Sequence, residues 1–328
     1  MKILIVRVSS LGDVVHNMPM VADIRRHAPD AAIDWVVEEG YTGLVRLNGQ
    51  VRNVIPFALR RWRHSLGAAQ TRGEMREFVR ALRQEQYDFI LDTQGLMKTS
   101  LIMRAARLAR GGKRYGLANA TEGSGYEGIS RIFHSVSVPV DRRTHAVLRA
   151  RLVAAAALGY AVEGPADFGM RAPEGQPDWL PAQPYAVFFH GTARAAKQWP
   201  EENWVRTAHA LGVRGLQVLL PWGSPEEQAA AQRMASQMRN ARVLPKLPLM
   251  EAVLLAQRAR LAIGVDTGLT HIAAAFNRPT IELYCDSPRW KTEGDWSPDI
   301  INLGDLGASP SAAQVAAAIE RLLATPSP

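Results

Sequence analysis

Apolar residues enter this chain in short runs, each ending in a polar cluster, with amphipathic stretches between them. In the first half the runs predict strands at Lys2–Val8, Ala32–Val37, Val51–Phe57 and Phe89–Asp92, with Gly111–Gly116 as a further short one. Helical spacing follows the first run as far as about His27, recurs around Glu74–Gln86, continues after Leu96 through Lys98, and returns over the Ala-rich Arg143–Tyr160. Residues 163–184 hold five prolines, among them Pro173, Pro177, Pro181 and Pro184, and three glycines, the composition of a linker. The alternation then restarts. Strands are predicted at Tyr185–Phe189, Leu216–Leu220, a short segment from Val243, Leu261–Val265, Thr280–Cys285 and Ile300–Leu303. Helices are predicted after Pro200, after Ser224, over Leu249–Arg258, through Ala273–Phe276 and over Ser311–Leu323. Runs that are apolar at every position belong to strands covered on both faces, hence to parallel sheets. The fold class is α/β: two doubly wound domains, residues 1–170 and 185–308, joined by a linker at 171–184 and facing a central cleft.

The strand ends carry the chemistry. Leu261-Ala-Ile-Gly-Val-Asp-Thr-Gly-Leu-Thr-His271 reads as a buried strand, a tight turn at Asp266-Thr267-Gly268, and a helix. Ligands of open α/β sheets bind at such carboxyl ends. The free amides and positive dipole of a helix N-terminus suit a diphosphate there. The plainer reading makes Asp266 or Thr267 an N-cap and His271 a surface residue. Ser9-Ser10-Leu11-Gly12-Asp13 follows the first strand, with Asp13 either a crevice carboxylate or a helix cap. Thr93-Gln94-Gly95-Leu96, His190 to Pro200 and Pro221-Trp222-Gly223-Ser224 end three further strands. Asp-Thr-Gly is also an aspartic-protease signature, but that chemistry needs two copies and only one is present. Gly123-Ser-Gly125-Tyr-Glu-Gly128 spells a dinucleotide motif without a strand leading into it, and is read as a loop.

Composition narrows the class. The 328 residues, 47% apolar and 21% charged, describe a soluble globular chain with room for two cores. No run approaches the roughly 20 apolar residues of a membrane span. The first residues form a strand, not a signal peptide, and the lone Cys285 offers neither disulfide nor zinc spacing. A cytoplasmic address is expected. The net charge of +8 is one-sided: residues 1–171 hold 25 Lys and Arg against 16 Asp and Glu, residues 172–328 hold 14 against 15. An anionic partner should therefore dock on the first half. Arg60-Arg61-Trp62-Arg63-His64, with Arg72, Arg76, Arg80 and Arg83, fits a nucleic acid, a phospholipid surface, a polyanionic substrate or a plain solvated face. Nucleic-acid binding would want aromatics interleaved with the charge, and only Trp62 qualifies.

Taken in order, Ser9–Asp13, Trp35-Val-Val-Glu-Glu-Gly40, Arg60–Arg63, Asp92-Thr-Gln94-Gly95-Leu96, Lys197-Gln-Trp-Pro-Glu-Glu-Asn-Trp204, Leu220-Pro-Trp-Gly223 and Val265–His271 resemble the lipopolysaccharide heptosyltransferases of Gram-negative bacteria, most closely the heptosyltransferase I class. The resemblance implies a GT-B fold whose last helix, in 309–328, crosses back to the first domain. It implies an inverting transferase moving heptose from ADP-L-glycero-β-D-manno-heptose to the inner Kdo of Kdo2-lipid A. It makes Asp13 the general base and Lys197 the residue that neutralises the departing ADP. Thr192, Ala193, Lys197, Glu227, Asp266, Thr267, Gly268, Leu269 and His271 would hold the donor, Glu227 at the adenosine ribose. Ala193 stands where a second Thr is expected, and Gly191 is a further departure. Ser10, Gly12, Arg60, Arg61, Arg63, Gln94 and Lys98 would serve the acceptor. No metal or other cofactor is implied, and the protein is expected to act as a monomer on the anionic cytoplasmic face of the inner membrane, without nucleic acid. A later-acting heptosyltransferase with a heptose acceptor is the alternative within the family.

Overall fold

The computed structural model describes residues 1–65, 67–192 and 194–324. Two compact units divide the chain, Met1–Arg171 and Ala172–Pro328. The first runs β1 (Lys2–Val6), α1 (Leu11–His16), α2 (Met18–His27), β2 (Ala32–Glu38), α3 (Thr42–Arg46), β3 (Asn53–Phe57), α4 (Leu59–Trp62), α5 (Ala69–Leu82), β4 (Gln86–Asp92), α6 (Met97–Ala105), β5 (Arg107–Leu117), β6 (Val136–Val138) and α7 (Ala146–Leu158). The second runs β7 (Tyr185–Phe189), α8 (Glu201–Val213), β8 (Gln217–Leu220), α9 (Pro225–Ala235), β9 (Ala241–Val243), α10 (Leu249–Arg258), β10 (Leu261–Val265), α11 (Gly268–Ala275), β11 (Thr280–Tyr284), β12 (Ile300–Gly304) and α12 (Ala312–Ala324).

Each unit is built on one six-stranded sheet, ordered β3-β2-β1-β4-β5-β6 in the first and β12-β11-β10-β7-β8-β9 in the second. Every pairing is parallel. Counted within its own unit, the second sheet repeats the order of the first, that of a doubly wound fold whose direction of winding reverses once. The reversal lies between β1 and β4 in one sheet and between β7 and β10 in the other. Loops leaving those strands diverge to opposite faces, so a crevice opens between them. The central strands are buried at nearly every position, as helices on both faces require.

Three local features depart from the expected pattern. β6 is a three-residue strand too short for periodicity to reveal, and it extends the first sheet beyond β5. β5 is longer than expected and shifts register against β4 between Tyr87 and Phe89. The helical stretch after β1 is two helices meeting at Asn17, with Pro19 in the first turn of α2, where its missing N–H costs nothing.

The last helix, α12, contributes to the core of the second unit. Val315, Ala318, Ile319 and Leu322 of α12 lie in the core of the second unit with Trp199, Trp204, Ile281 and Leu283. The helix packs on α8, β11 and β12. Its apolar stripe is satisfied there, at about 1.5–3 kcal/mol for each fully buried aliphatic side chain. Trp199 Nε1 donates to the Pro310 carbonyl at 2.7 Å and so pins the segment leading into the helix.

Candidate active site

In the first unit the switch point is walled by the β1–α1 turn and the β4–α6 loop. Asp13, in the first turn of α1, accepts from Ser10 N at 3.1 Å and Ser10 Oγ at 2.8 Å. Its other oxygen lies 2.7 Å from Arg7 Nη2 and 3.9 Å from Arg149 Nη2. Both guanidiniums are buried, while the Asp13 side chain keeps 34% of its surface exposed. Burial pushes this carboxyl up, but Arg7, Arg149 and the Ser10 donors outweigh it and hold the group well below the usual carboxylate range. Burial and the neighbouring Arg7 in turn lower Arg149 to about 10, with Asp13 opposing.

The β4–α6 loop is fixed by Asp92, whose carboxylate accepts from the Gln94 and Gly95 amides at 2.9 and 3.0 Å and from Thr99 Oγ1 at 2.9 Å. That places Gln94 Oε1 on the Val8 amide and Gln94 Nε2 on Ser9 Oγ, 3.1 and 3.3 Å away. Lys98 Nζ reaches the same Ser9 Oγ at 3.0 Å. Ser10, Asp13, Gln94 and Lys98 are thus brought together around the Ser9–Ser10 turn, with Gly12 inside α1. Burial lowers Lys98; Glu38 opposes this, and Arg63, Arg60 and Arg7 add to it, which places the cations of α4 within electrostatic reach.

The basic cluster does not act as one. Arg60 Nη2 donates to Tyr41 Oη at 3.3 Å and its guanidinium carbon stands 5.7 Å from that ring's centroid. Arg61 is committed to structural pairs, bidentate to Glu39 at 3.0 Å and bound to Glu74. Trp62 is buried in the core and donates to Glu74 at 2.8 Å, so it is no stacking platform for a nucleic acid.

In the second unit β10 runs into the Asp266-Thr267 turn, and α11 starts at Gly268 with Thr267 as its N-cap. Asp266 pairs with Lys197, which lies in a turn of 3₁₀ helix, Ala195–Lys197. Asp266 also accepts from His271 Nε2 at 3.1 Å and Thr292 Oγ1 at 3.3 Å. The second His271 nitrogen meets Glu282 Oε1 at 3.0 Å; Glu282 Oε2 accepts from Tyr284 Oη at 3.0 Å and the Gly294 amide at 2.9 Å. Burial lowers the imidazole, but Glu282 and Asp266 outweigh it and raise His271 to about 10. Burial likewise raises Asp266, and His271 and Lys197 reverse it to well below the usual range. His271 is therefore not a surface residue. It is a buried imidazolium in an alternating row: Lys197, Asp266, His271, Glu282.

Two glycines shape this half. A Cβ on Gly264 would come within 2.0 Å of Thr270 Oγ1, so its absence lets α11 close onto β10. A Cβ on Gly191 would come within 2.4 Å of the Glu227 carboxyl carbon. Glu227 needs that space to accept from the Gly223 amide at 2.7 Å. Thr192 is half-buried beside this point and Leu269 follows Gly268 in the first turn of α11, while Ala193 lies outside the described residues. The neighbouring His190 is buried, which pushes its imidazole down. Its Nε2 finds no hydrogen-bond partner among the described residues.

Comparison with known proteins places this architecture. The family model for glycosyltransferase family 9 (heptosyltransferase) matches residues 75–319. Lipopolysaccharide heptosyltransferase 1 of Pseudomonas aeruginosa is 40% identical over 87% of this chain and 78% of its own length. The protein of that name from Escherichia coli K12 is 36% identical over 87% and 88%. The chain belongs to glycosyltransferase family 9. The solved structure of E. coli heptosyltransferase WaaC with ADP superposes with a TM-score of 0.84 at 32% identity, over 99% of both chains. The same enzyme with ADP-2-deoxy-2-fluoro heptose gives 0.79. The two sheets are therefore those of a GT-B-like heptosyltransferase.

Several residues of this glycosyltransferase escape sequence reading. Arg7 interrupts an apolar strand just where it ends, and Arg149 interrupts an Ala-rich helix; each is a charge in an apolar setting, the one local signal available. Glu282 is an acid inside a strand buried at every position. Buried charges are rare without partners, but nothing in the sequence says that His271, 11 residues earlier, is the partner.

Proposed function

We propose that this glycosyltransferase transfers L-glycero-D-manno-heptose from ADP-heptose to the inner Kdo of Kdo2-lipid A with inversion at the anomeric carbon. The observation that carries the reading is Asp13, a partly exposed carboxylate held ionised by two buried arginines at the crevice of the first sheet. In a single displacement, Asp13 takes the proton of the acceptor hydroxyl as that oxygen bonds the anomeric carbon, and the bond to ADP breaks with its electron pair leaving on the diphosphate. Lys197 and the first amides of α11, at Gly268 and Leu269, answer the charge that develops there. Asp266 and His271 hold the turn that aims them. Glu227 takes the adenosine ribose, and Thr192 lines the approach.

A carboxylate held so far below its usual range is a weak base. An acceptor carboxylate that shares Arg7 or Arg149 would loosen that hold and raise its basicity. Kdo carries such a carboxylate, and Arg60, Arg63 and Lys98 supply the surrounding positive field; Arg61, paired twice, contributes least. On this reading the transfer requires no metal, since Lys197 and the helix end carry the charge. The protein works as a monomer at the cytoplasmic face of the inner membrane. Among the described residues no helix is long and apolar enough to cross a membrane, and attachment would be peripheral.

The deciding assay offers ADP-heptose with Kdo2-lipid A and, in parallel, with Kdo2-lipid A already bearing one heptose. Transfer to the bare acceptor alone, undiminished by EDTA, is expected. Transfer only to the heptosylated acceptor would move the enzyme one step later in core assembly, and loss of activity in EDTA would restore a metal. A second expectation concerns Gly191→Ala. Displacing the Glu227 carboxylate should weaken ADP binding roughly tenfold, the value of one charge-assisted hydrogen bond, with kcat less affected. An ADP dissociation constant left unchanged in calorimetry would remove Glu227 from the donor site.

A further inference from the structure

Helix α6 begins at the proposed acceptor side, where Lys98 meets Ser9. One turn later, about 5.4 Å along the axis, it presents Leu101 to solvent, 54% exposed. Beside α6 packs a 3₁₀ helix, Gly128–Phe133. Side chains at i and i+3 eclipse in such a helix, so Ile129 and Ile132, 57% and 72% exposed, form one row. Among the described residues, three of the five most exposed large hydrophobic side chains thus fall on two adjoining helices, whereas scattered single ones would need no explanation. The charge beside them is predominantly positive. Arg131 stands between the two isoleucines, and Arg104 follows Leu101 by one turn. At the carboxyl end of α6, Arg83, Arg104, Arg107 and Arg114 line one pocket with Gln86 and Leu108. Neither helix contains an acidic residue. Glu127, next in the chain, is taken by the Met97 amide.

We propose that Leu101, Ile129 and Ile132, with the four-arginine pocket, are the surface by which this chain docks on an anionic phospholipid bilayer. The aliphatic side chains reach below the headgroups, and the guanidiniums of the pocket take lipid phosphates. The inference rests on the acceptor reading above in one respect: it puts the bilayer within two turns of Lys98, where an acceptor whose acyl chains stay in the membrane must present its sugar. The charge is what selects a bilayer as the occupant. A second copy of the chain would bring its own arginines against these.

The test is co-flotation of the full-length protein with phosphatidylcholine vesicles made with and without phosphatidylglycerol, followed by transfer assays on the same samples. The wild type is expected to float with the anionic vesicles only, and less so at high salt. Leu101→Ser/Ile129→Ser/Ile132→Ser and, separately, Arg104→Glu/Arg107→Glu should each lower the bound fraction roughly tenfold or more. ADP affinity and melting temperature should stay at wild-type values in both. Should the triple variant melt early, Ile132→Ser alone, at the most exposed of the three positions, gives the same readout with less perturbation. Wild-type protein that ignores anionic vesicles, or variants that bind them as well as wild type does, would overturn the proposal. So would a solution dimer that the serine substitutions dissolve while vesicle binding persists, which would give the patch to a second copy. Vesicle binding with no transfer to any Kdo acceptor would sink the acceptor reading alone; transfer without vesicle binding would sink the docking surface alone.

Discussion

Asp13→Asn is expected to lower kcat for heptosyl transfer by about 10²–10⁴, the usual worth of a positioned general base, while leaving the dissociation constant of ADP within about threefold. The amide is isosteric, and its oxygen can still accept from the Ser10 donors that fix the side chain, although its NH2 then faces Arg7. Asparagine is the better probe than alanine. Arg7 and Arg149 are both buried, and emptying the space between them would leave two guanidiniums facing each other across a gap. The pH dependence follows from the direction of the shift. Asp13 is depressed, so its ionised form persists throughout the neutral range and should produce no acid limb there. Its contribution to stability is present above the ordinary carboxylate range and is lost only as pH falls toward its folded value. Turnover close to wild type in Asp13→Asn would make the residue a helix cap. Turnover and ADP affinity falling together would make its role structural. Steady-state kinetics beside calorimetry distinguishes the three outcomes.

Glu282→Gln should have the largest effect on stability, a loss of about 3–5 kcal/mol, because it leaves a buried imidazolium short of one of its two carboxylates. Glu282 is completely buried and His271 nearly so, and water has little access to repair the defect. For a unit of this size the loss corresponds to a fall in melting temperature of roughly 10 °C. The sign with pH is the reverse of that for Asp13. His271 is raised from 6.5 to about 10, so its contribution is complete below pH 6.5 and disappears as pH rises toward 10. Wild-type stability should decline across that window, and Glu282→Gln should flatten the decline. Thermal melts of both proteins between pH 6 and 10 would show it; parallel curves would mean that His271 is neutral and that the row of charges ends at Asp266.

The divide between what could be read in advance and what could not runs along contact distance. Parallel strands buried on both faces announce themselves by composition, and the polar residues at their carboxyl ends announce the crevices, so Asp13 and Asp266 could be named from local pattern, and Gln94 and Lys197 from the family resemblance. The partners that decide what those residues do are far away in the chain. Arg149 is distant from Asp13 in sequence, and nothing near Arg61 shows that Glu39 and Glu74, 22 and 13 residues away, pair with it. Of the two readings left open for His271, surface or site-facing, its buried pairing with Glu282 excludes the first, and that partner could not be seen locally either. An apolar stripe says that a helix must pack and is silent about where. β6 went unseen because three residues cannot display a period.

The pairing of Lys197 with Asp266 bears on how quickly the enzyme can let go. On the donor-site reading proposed above, the Asp266 carboxylate within reach of the Lys197 ammonium competes with the diphosphate for the same charge. On that reading the competition weakens affinity, and the ammonium closes on Asp266 as the nucleotide leaves. A site built only to grip ADP would be slow to exchange it for the next donor. On that reading the chain carries its own substitute for the leaving group, in a contact internal to the second unit.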